Sequence, residues 1–183
     1  MVMQKRIMII ETEHLYLREM TEEDAGALYA VLGDPGIMQH YPAPFDKDKV
    51  RDWITRNIGR YRTLGFGLWA VCQKQTGEMI GDCGLTLQQV NGQLLPEIGY
   101  HIRADKQRKG YAKEAAIAVR DWTFRNTTYD TVYSYMKHTN IPSIKTAISY
   151  GCRKTAEFPD EVNEMTMVYA VSREEWIRLV GNG

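Results

Sequence analysis

The segment EIGYHIRADKQRKGYA, residues 97–112, decides the fold that this chain is predicted to adopt. Its first part reads as a strand, and a short basic loop containing Gly110 then leads into a stretch with helical periodicity. The N-terminus of a helix leaves backbone N–H groups unpaired and carries partial positive charge. Gly110 lets a ligand approach the backbone because no Cβ stands in the way. The segment therefore predicts a strand–loop–helix unit whose loop suits a phosphate or pyrophosphate.

The pattern on both sides of this segment is that of a sheet with helices. The apolar face of the helix after the loop consists of Ala112, Ala115, Ala116, Val119 and Thr123. Three strands are predicted before the loop, at residues 66–72, 79–87 and 95–102. Tight turns at Thr76-Gly77 and Asn91-Gly92 join them, so we predict an antiparallel meander.

The rest of the chain also alternates between strand and helix patterns. Further strands are predicted at residues 15–18, 131–137, 152–156 and 165–171. Further helices are predicted from Thr21 to Gly33, from Asp46 to near Gly59, over 141–150 and after Ser172. No linker or repeat divides the pattern. We therefore predict one α+β domain over residues 1–183, with a mixed, mostly antiparallel central sheet of about seven strands flanked by helices.

Length and composition restrict the classes of function. A chain of 183 residues suits one domain, and 44% hydrophobic with 25% charged residues is ordinary for a soluble protein. Lys plus Arg and Asp plus Glu both total 23, so no overall field favours nucleic acid or an anionic membrane. The first ten residues hold too few apolar residues for a signal peptide, and no stretch reaches the roughly 20 that span a membrane. We expect a cytoplasmic protein with no nucleic-acid or membrane partner.

The metal-binding residue types show no metal-binding spacing. The cysteines are Cys72, Cys83 and Cys152, an odd number without CxxC spacing, which favours reduced, structural thiols. The histidines are His14, His40, His101 and His138. They are far apart in sequence, so we expect no catalytic metal.

The basic loop is one of several motifs that occur in the same order in a known family. In chain order the motifs are Leu-x-Leu-Arg at 15–18, Asp-Pro at 34–35, Trp-Ala-Val at 69–71, Ile-Gly at 80–81, Glu-Ile-Gly-Tyr at 97–100, Gln-x-x-Gly-x-Ala at 107–112, Asn-Ile-Pro-Ser at 140–143, and Gly151. In these residues, over roughly 15–169, the chain resembles the GNAT superfamily of N-acetyltransferases. Within it, the chain is most similar to the ribosomal-protein N-terminal (alanine/serine) acetyltransferases.

The resemblance implies acetyl-CoA as the acetyl donor and a sheet that is splayed open where the donor binds. The residues implied to hold the coenzyme A pyrophosphate are Gln107, Arg108, Lys109, Gly110, Tyr111 and Ala112. The strand residues implied to offer backbone N–H groups to the thioester carbonyl are Tyr100, His101 and Ile102. Asn140 is implied to contact the pantetheine arm.

Two residues are candidates for proton transfer. Glu97 lies on the strand where the family commonly carries a general base, although it could also be a solvent-facing or ion-paired glutamate. Ser143 corresponds to the serine of the ribosomal-protein type and is the candidate general acid. Asn140 and Ser143 also have a structural explanation, since Asn is a preferred N-cap and Ser is common in a first helical turn. Many family members have a tyrosine where this chain has Ala147, which is a departure from the pattern.

These features together predict an N-acetyltransferase that uses direct attack in a ternary complex. The partner is an amine-bearing small molecule or a protein N-terminus, and the protein is a monomer or homodimer. The loop over residues 34–45, with Met38, His40 and Tyr41, is expected to line the acceptor pocket. Cys152 is interpreted as a core residue, not a nucleophile. The alternative is a non-catalytic acyl-CoA-binding sensor of the same fold.

Overall fold

The computed structural model describes residues 7–181. Its strands are β1 Met8–Glu11, β2 Leu15–Arg18, β3 Leu68–Gln73, β4 Met79–Val90, β5 Gln93–Ile102, β6 Thr131–Lys137, β7 Arg153–Asp160 and β8 Glu164–Ser172. Its α-helices are α1 Ala25–Leu32, α2 Lys47–Leu64, α3 Tyr111–Asn126, α4 Ile141–Ser149 and α5 Arg173–Gly181. Short 3₁₀ turns at Glu22–Asp24 and Ala104–Lys106 precede α1 and the loop before α3.

All eight strands belong to one sheet, in the order β1-β2-β3-β4-β5-β6-β8-β7. Every neighbouring pair is antiparallel except β5 with β6, which confirms the predicted mixed, mostly antiparallel sheet of an α+β fold. The strand that the sequence pattern did not predict is β1, which pairs with β2 at one edge of the sheet. Its four residues are exposed or only partly buried, so they show no alternating apolar pattern.

The parallel strands β5 and β6 separate soon after they meet. Their ladder pairs Glu97 with Tyr133, and no other residue pair of this ladder occurs in the part of the chain that the structure describes. Parallel strands need a crossover connection, and α3 provides it here. The result is a gap in the sheet that opens from Glu97 toward the end of β5, as the family resemblance implies.

The sheet has an apolar core on each of its two faces. On one face α3 and α4 cover strand residues such as Trp69, Val71 and Ile98. On the other face α1 and α2 cover Ala70 and Cys72, the residues that alternate with them along β3. Fully burying each large apolar side chain contributes about 1.5–3 kcal/mol, so both layers of helices are held firmly on the sheet.

The second helix differs from its predicted length. It starts where predicted, with Asp46 as its N-cap, accepting a hydrogen bond from the Lys49 N–H at 2.8 Å. The helix does not end near Gly59 but runs to Leu64, and Gly65 terminates it in the left-handed conformation at φ 77°. A mid-helix glycine costs only about 1 kcal/mol, and the buried Tyr61 of the added turn offsets it. The added turn is tied to the start of β3, because the Tyr61 hydroxyl donates to the Leu68 carbonyl.

The three cysteines are all buried free thiols. Among residues 7–181, no helix combines the length and the apolar composition needed to cross a membrane. The same residues contain no group of three or more His, Cys, Asp or Glu side chains arranged to hold a metal ion.

Candidate active site

The loop before α3 presents unpaired backbone and two free cations to solvent. Gly110 is the N-cap of α3 with φ 85°, and no side chain caps the first turn. If Gly110 carried a Cβ, no atom of the described residues beyond its chain neighbours and its own helix would lie within 4 Å of it. Arg108 and Lys109 are exposed and form no ion pair within residues 7–181. These features fit a phosphate or pyrophosphate group.

Side chains of the same loop hold it against the sheet. The Gln107 Nε2 group donates to the Ile102 carbonyl at 2.9 Å, which closes the loop onto the end of β5. Gln73 of β3 accepts from Lys106 Nζ at 2.7 Å and donates to the Tyr111 hydroxyl at 3.0 Å. The side chains of Gln107 and Tyr111 thus position the loop and leave its backbone available.

The end of β5 lines the gap between the parallel strands. Ser134 Oγ of β6 donates to the Ile98 carbonyl at 3.4 Å, so the backbone of Ile98 points toward β6. Backbone groups alternate along a strand, so those of Tyr100 and Ile102 point into the gap. The backbone of His101 points instead toward β4, where it pairs with Asp82.

The first turn of α4 forms the other wall of the gap. Asn140 is the N-cap of this helix, and its side chain accepts a hydrogen bond from the Ser143 N–H at 3.3 Å. Both residues therefore have the structural role that their sequence positions also suggest. The Ser143 carbonyl accepts a 3.0 Å hydrogen bond from the Tyr100 hydroxyl. Ala147, one turn further on, is buried in the core. Ser143 therefore faces β5 across the gap, on the side to which Tyr100 points.

Glu97 lies on the opposite face of β5, next to α2. It is partly buried, and its Oε2 accepts a 3.3 Å hydrogen bond from Thr86 Oγ1. Burial raises the pKa of Glu97 to about 7, while the Thr86 hydrogen bond and the charges of His101 and Arg60 act in the opposite direction. A carboxyl with this pKa is about half ionised at neutral pH, which suits a general base.

A chain of polar groups centred on His101 lies on the same face of β5 as Glu97. Asp82, which is fully buried, is 2.7 Å from His101 Nδ1 and accepts a 2.9 Å hydrogen bond from Trp53 Nε1. His101 Nε2 lies 2.7 Å from the Tyr41 hydroxyl. Burial lowers the pKa of His101, but Tyr41 and Asp82 outweigh this effect and raise it to about 10. The buried Asp82 carboxylate is thus the counter-charge that favours the imidazolium form of His101.

The α2 helix forms the wall of this cleft. Trp53, Arg56 and Arg60 lie on one face of the helix, with the Arg56 guanidinium 5.5 Å from the Trp53 ring. Arg60 is partly buried and donates to Asn57 Oδ1 at 3.2 Å. Tyr135 of β6 completes the cluster, since burial and the neighbouring Glu97 raise its pKa.

The structure thus sorts the predicted residues into two groups on either side of the gap. The loop, Tyr100, Asn140 and Ser143 lie on the α3 and α4 side, whereas Glu97 and the His101 side chain lie on the α2 side. From the expected acceptor loop, Tyr41 reaches the cleft, while Met38 is buried in the core.

The cleft residues that sequence reasoning missed include Arg56, Arg60, Asp82 and Tyr135. Asp82 had a visible signal, because it is a charged residue within the apolar first half of β4. The arginines and Tyr135 had none, since exposed charges and strand tyrosines are common.

The site combines a basic, glycine-containing helix N-terminus with a gap in the sheet and a carboxyl, Glu97, whose pKa is raised. This combination, on this fold, is that of an acyl-group transferase. The family model described as "Acetyltransferase (GNAT) domain" matches residues 14–153. The chain therefore belongs to the GNAT family of acetyltransferases, and family membership implies acetyl-CoA as donor.

Similar proteins agree with this assignment. Uncharacterized protein YkkB of Bacillus subtilis is 33% identical over 141 residues, covering 76% of this chain and 82% of that protein. Uncharacterized N-acetyltransferase p20 of Bacillus licheniformis is 32% identical over 146 residues, covering 78% and 81%.

Solved structures show the same fold. A GNAT-family acetyltransferase from Bacillus anthracis superposes with a TM-score of 0.77 at 22% identity, covering 92% of this chain and 99% of that chain. RimL, a ribosomal L7/L12 alpha-N-protein acetyltransferase in complex with coenzyme A, superposes with a TM-score of 0.75 at 17% identity, covering 91% and 98%.

Proposed function

We propose that this protein transfers the acetyl group of acetyl-CoA to a primary amine by direct attack within a ternary complex. The observation that carries the proposal is Glu97, a partly buried carboxyl with a pKa of about 7 at the point where β5 and β6 separate. A general base is needed there because amines are mostly protonated at neutral pH, with pKa values of about 8 to 10.4.

The residues on the α3 and α4 side are suited to hold the donor. The first turn of α3 offers backbone N–H groups to the pyrophosphate, with Arg108 and Lys109 adding charge. The backbone of Tyr100 and Ile102 and the side chain of Asn140 line the path from this loop to the gap. Bound acetyl-CoA would supply the acetyl group as a thioester.

Two side chains handle the protons in this proposal. Glu97 takes a proton from the acceptor amine, and a positioned base of this kind contributes about 10² to 10⁴ in rate. The Ser143 hydroxyl supplies a proton to the departing thiolate, a smaller contribution because a thiolate is already a good leaving group. The His101 imidazole lies on the acceptor side, where its Nε2 is hydrogen-bonded to the Tyr41 hydroxyl and positions that side chain.

The cysteines support direct attack over a covalent acyl-enzyme. Burial raises the pKa of the Cys152 thiol to about 12, and burial also raises the pKa of Cys72 and Cys83. Such thiols are almost entirely protonated at neutral pH and are poor nucleophiles.

The acceptor proposed from the fold alone is a small-molecule amine or a protein N-terminus. The similarity to RimL, named as acting on a ribosomal protein, supports including N-terminal peptides among the candidates. We further propose that the protein acts in the cytoplasm, as a monomer or homodimer, without a metal.

The test is thiol release from acetyl-CoA across a panel of amines and N-terminal peptides, with coenzyme A binding measured in parallel by calorimetry. Turnover on at least one acceptor is expected. Coenzyme A binding without turnover on any acceptor would favour the non-catalytic sensor, to which the departure at Ala147 points. Absence of both binding and turnover would contradict both functions.

A further inference from the structure

The acceptor cleft contains more positive than negative charge. Its cations are the His101 imidazolium and the guanidinium groups of Arg56 and Arg60. The carboxylate of Asp82 is fully buried and already engaged with His101 and Trp53. Glu97, the proposed base, is therefore the carboxyl left to face an acceptor. A simple ammonium substrate would meet net positive charge in this cleft.

Arg60 is the less exposed of the two cleft arginines and still has unused hydrogen-bond donors. It is partly buried, and its hydrogen bond is to Asn57 Oδ1 at 3.2 Å. No carboxylate lies within ion-pair distance of it in the part of the chain that the structure describes, residues 7–181. Most of its N–H donors remain free, although a charge taken from water normally acquires a partner.

The position of Arg60 is fixed by its helix. Asn57 Oδ1 also accepts the Leu68 N–H at 2.9 Å, which ties this turn of α2 to the start of β3. Trp53, on the same face of α2 as Arg60, lies beside His101 with 6.2 Å between the ring centroids, and His101 is on the same face of β5 as Glu97. Arg60 and Glu97 therefore face the same cleft, and their charges interact. One group attracts an anion and the other takes a proton from an amine.

From these contacts we propose that Arg60 is a specificity-determining residue that selects acceptor amines carrying a carboxylate. The acceptor carboxylate binds the Arg60 guanidinium while its amine is presented to Glu97. A planar guanidinium fork matches a carboxylate through two parallel hydrogen bonds, which a neutral amide cannot reproduce. This inference rests on the proposed function and narrows its acceptor class from any primary amine to small amino acids.

The test compares ω-amino acids of increasing chain length with their matched carboxamides, using thiol release from acetyl-CoA. The wild-type protein is expected to favour the acids. Arg60→Met should lower kcat/KM for the acids by about 10- to 100-fold, with little change for the carboxamides. Arg60→Lys keeps the charge and should recover part of the loss.

Two features keep this test free of folding artefacts. Arg60→Met leaves Asn57 Oδ1 bonded to the Leu68 N–H, so no buried acceptor loses its only partner. Arg62→Met removes the same charge from the exposed side of the same helix and should change neither substrate series. The KM for acetyl-CoA should stay constant in all variants.

The outcomes separate this inference from the proposed function. Turnover that is equal for acids and carboxamides, or an equal loss on both in Arg60→Met, would overturn the role of Arg60 and leave the acetyltransferase intact. If no amine is acetylated, the proposed function fails, and calorimetric binding of the ω-amino acids decides the inference alone. Binding that is tighter for the acid and lost in Arg60→Met supports it, and binding unaffected by the variant overturns it.

Discussion

Glu97→Gln is the substitution that separates chemistry from folding in this protein. The variant keeps the size of the side chain, and its Oε1 can still accept the hydrogen bond that Thr86 Oγ1 now donates at 3.3 Å. It loses the ability to take a proton. If Glu97 is the general base, kcat/KM should fall by about 10² to 10⁴ at neutral pH while the KM for acetyl-CoA stays nearly constant.

The pH dependence of the wild-type rate follows from the pKa of the base. Burial raises the pKa of Glu97 to about 7, so the carboxyl becomes protonated and inactive as the pH drops below that value. We expect kcat/KM of the wild type to decline below about pH 7. In Glu97→Gln this limb should disappear, and some rate should return at high pH, where the amine loses its proton unaided.

The same substitution should stabilise the fold. A rise in the pKa of Glu97 from 4.5 to about 7 means that folding costs the ionised carboxylate roughly 3 kcal/mol more than the protonated carboxyl. This figure is an upper bound, because Glu97 keeps some contact with solvent. Because its pKa is raised in the folded state, Glu97 makes its full favourable contribution to the free energy of unfolding below pH 4.5. This contribution is lost as the pH rises through about 7. Glutamine carries no such penalty, so at pH 8 the Tm of the variant should exceed that of the wild type by up to roughly 5 to 10 °C.

The assay combines steady-state thiol release with thermal unfolding from pH 5 to pH 9. Glu157→Gln, which changes an exposed glutamate on β7, is the matched control and should leave both quantities unchanged. A loss of rate accompanied by a lower Tm would mean that Glu97 has a structural role. Unchanged turnover would remove Glu97 from the role of base.

Three further substitutions test the remaining parts of the site. Gly110→Val should raise the KM for acetyl-CoA about 10-fold or more, because φ 85° is strained for valine and its side chain enters the open space over the loop; an unchanged KM would place the phosphates elsewhere. Ser143→Ala should lower kcat by about 10-fold without changing either KM, and an unchanged kcat would leave proton donation to water. Asp82→Asn should cost about 3–5 kcal/mol in the free energy of unfolding measured with urea, because it leaves His101 buried without its counter-charge. His101 favours folding fully below pH 6.5 and loses this contribution as the pH rises through about 10, so the cost in Asp82→Asn should shrink at high pH; a cost that does not vary with pH would contradict the charged pair.

Local patterns in the sequence were sufficient for most of the elements. The turns at Thr76-Gly77 and Asn91-Gly92 and the capping residue Asp46 act over a few neighbouring residues, so their consequences can be predicted without the fold. The end of α2 could not be predicted in this way. Gly59 reads as a helix terminator locally, but the burial of Tyr61 against the sheet extends the helix to Leu64.

The division between sequence and tertiary structure is sharpest at the site itself. The segment 97–112 by itself determined a loop suited to a phosphate group, because a helix N-terminus, a glycine and two cations are neighbours along the chain. Only the tertiary structure decided the cleft that we propose for the acceptor. It brings a loop, α2, β4 and β5 together, so that Tyr41 and Asp82 meet around His101, which shares a face of β5 with Glu97. The charge of Arg60 on α2 interacts with that of Glu97. Side chains so far apart in sequence acquire their pKa values and charge balance only through burial and contact.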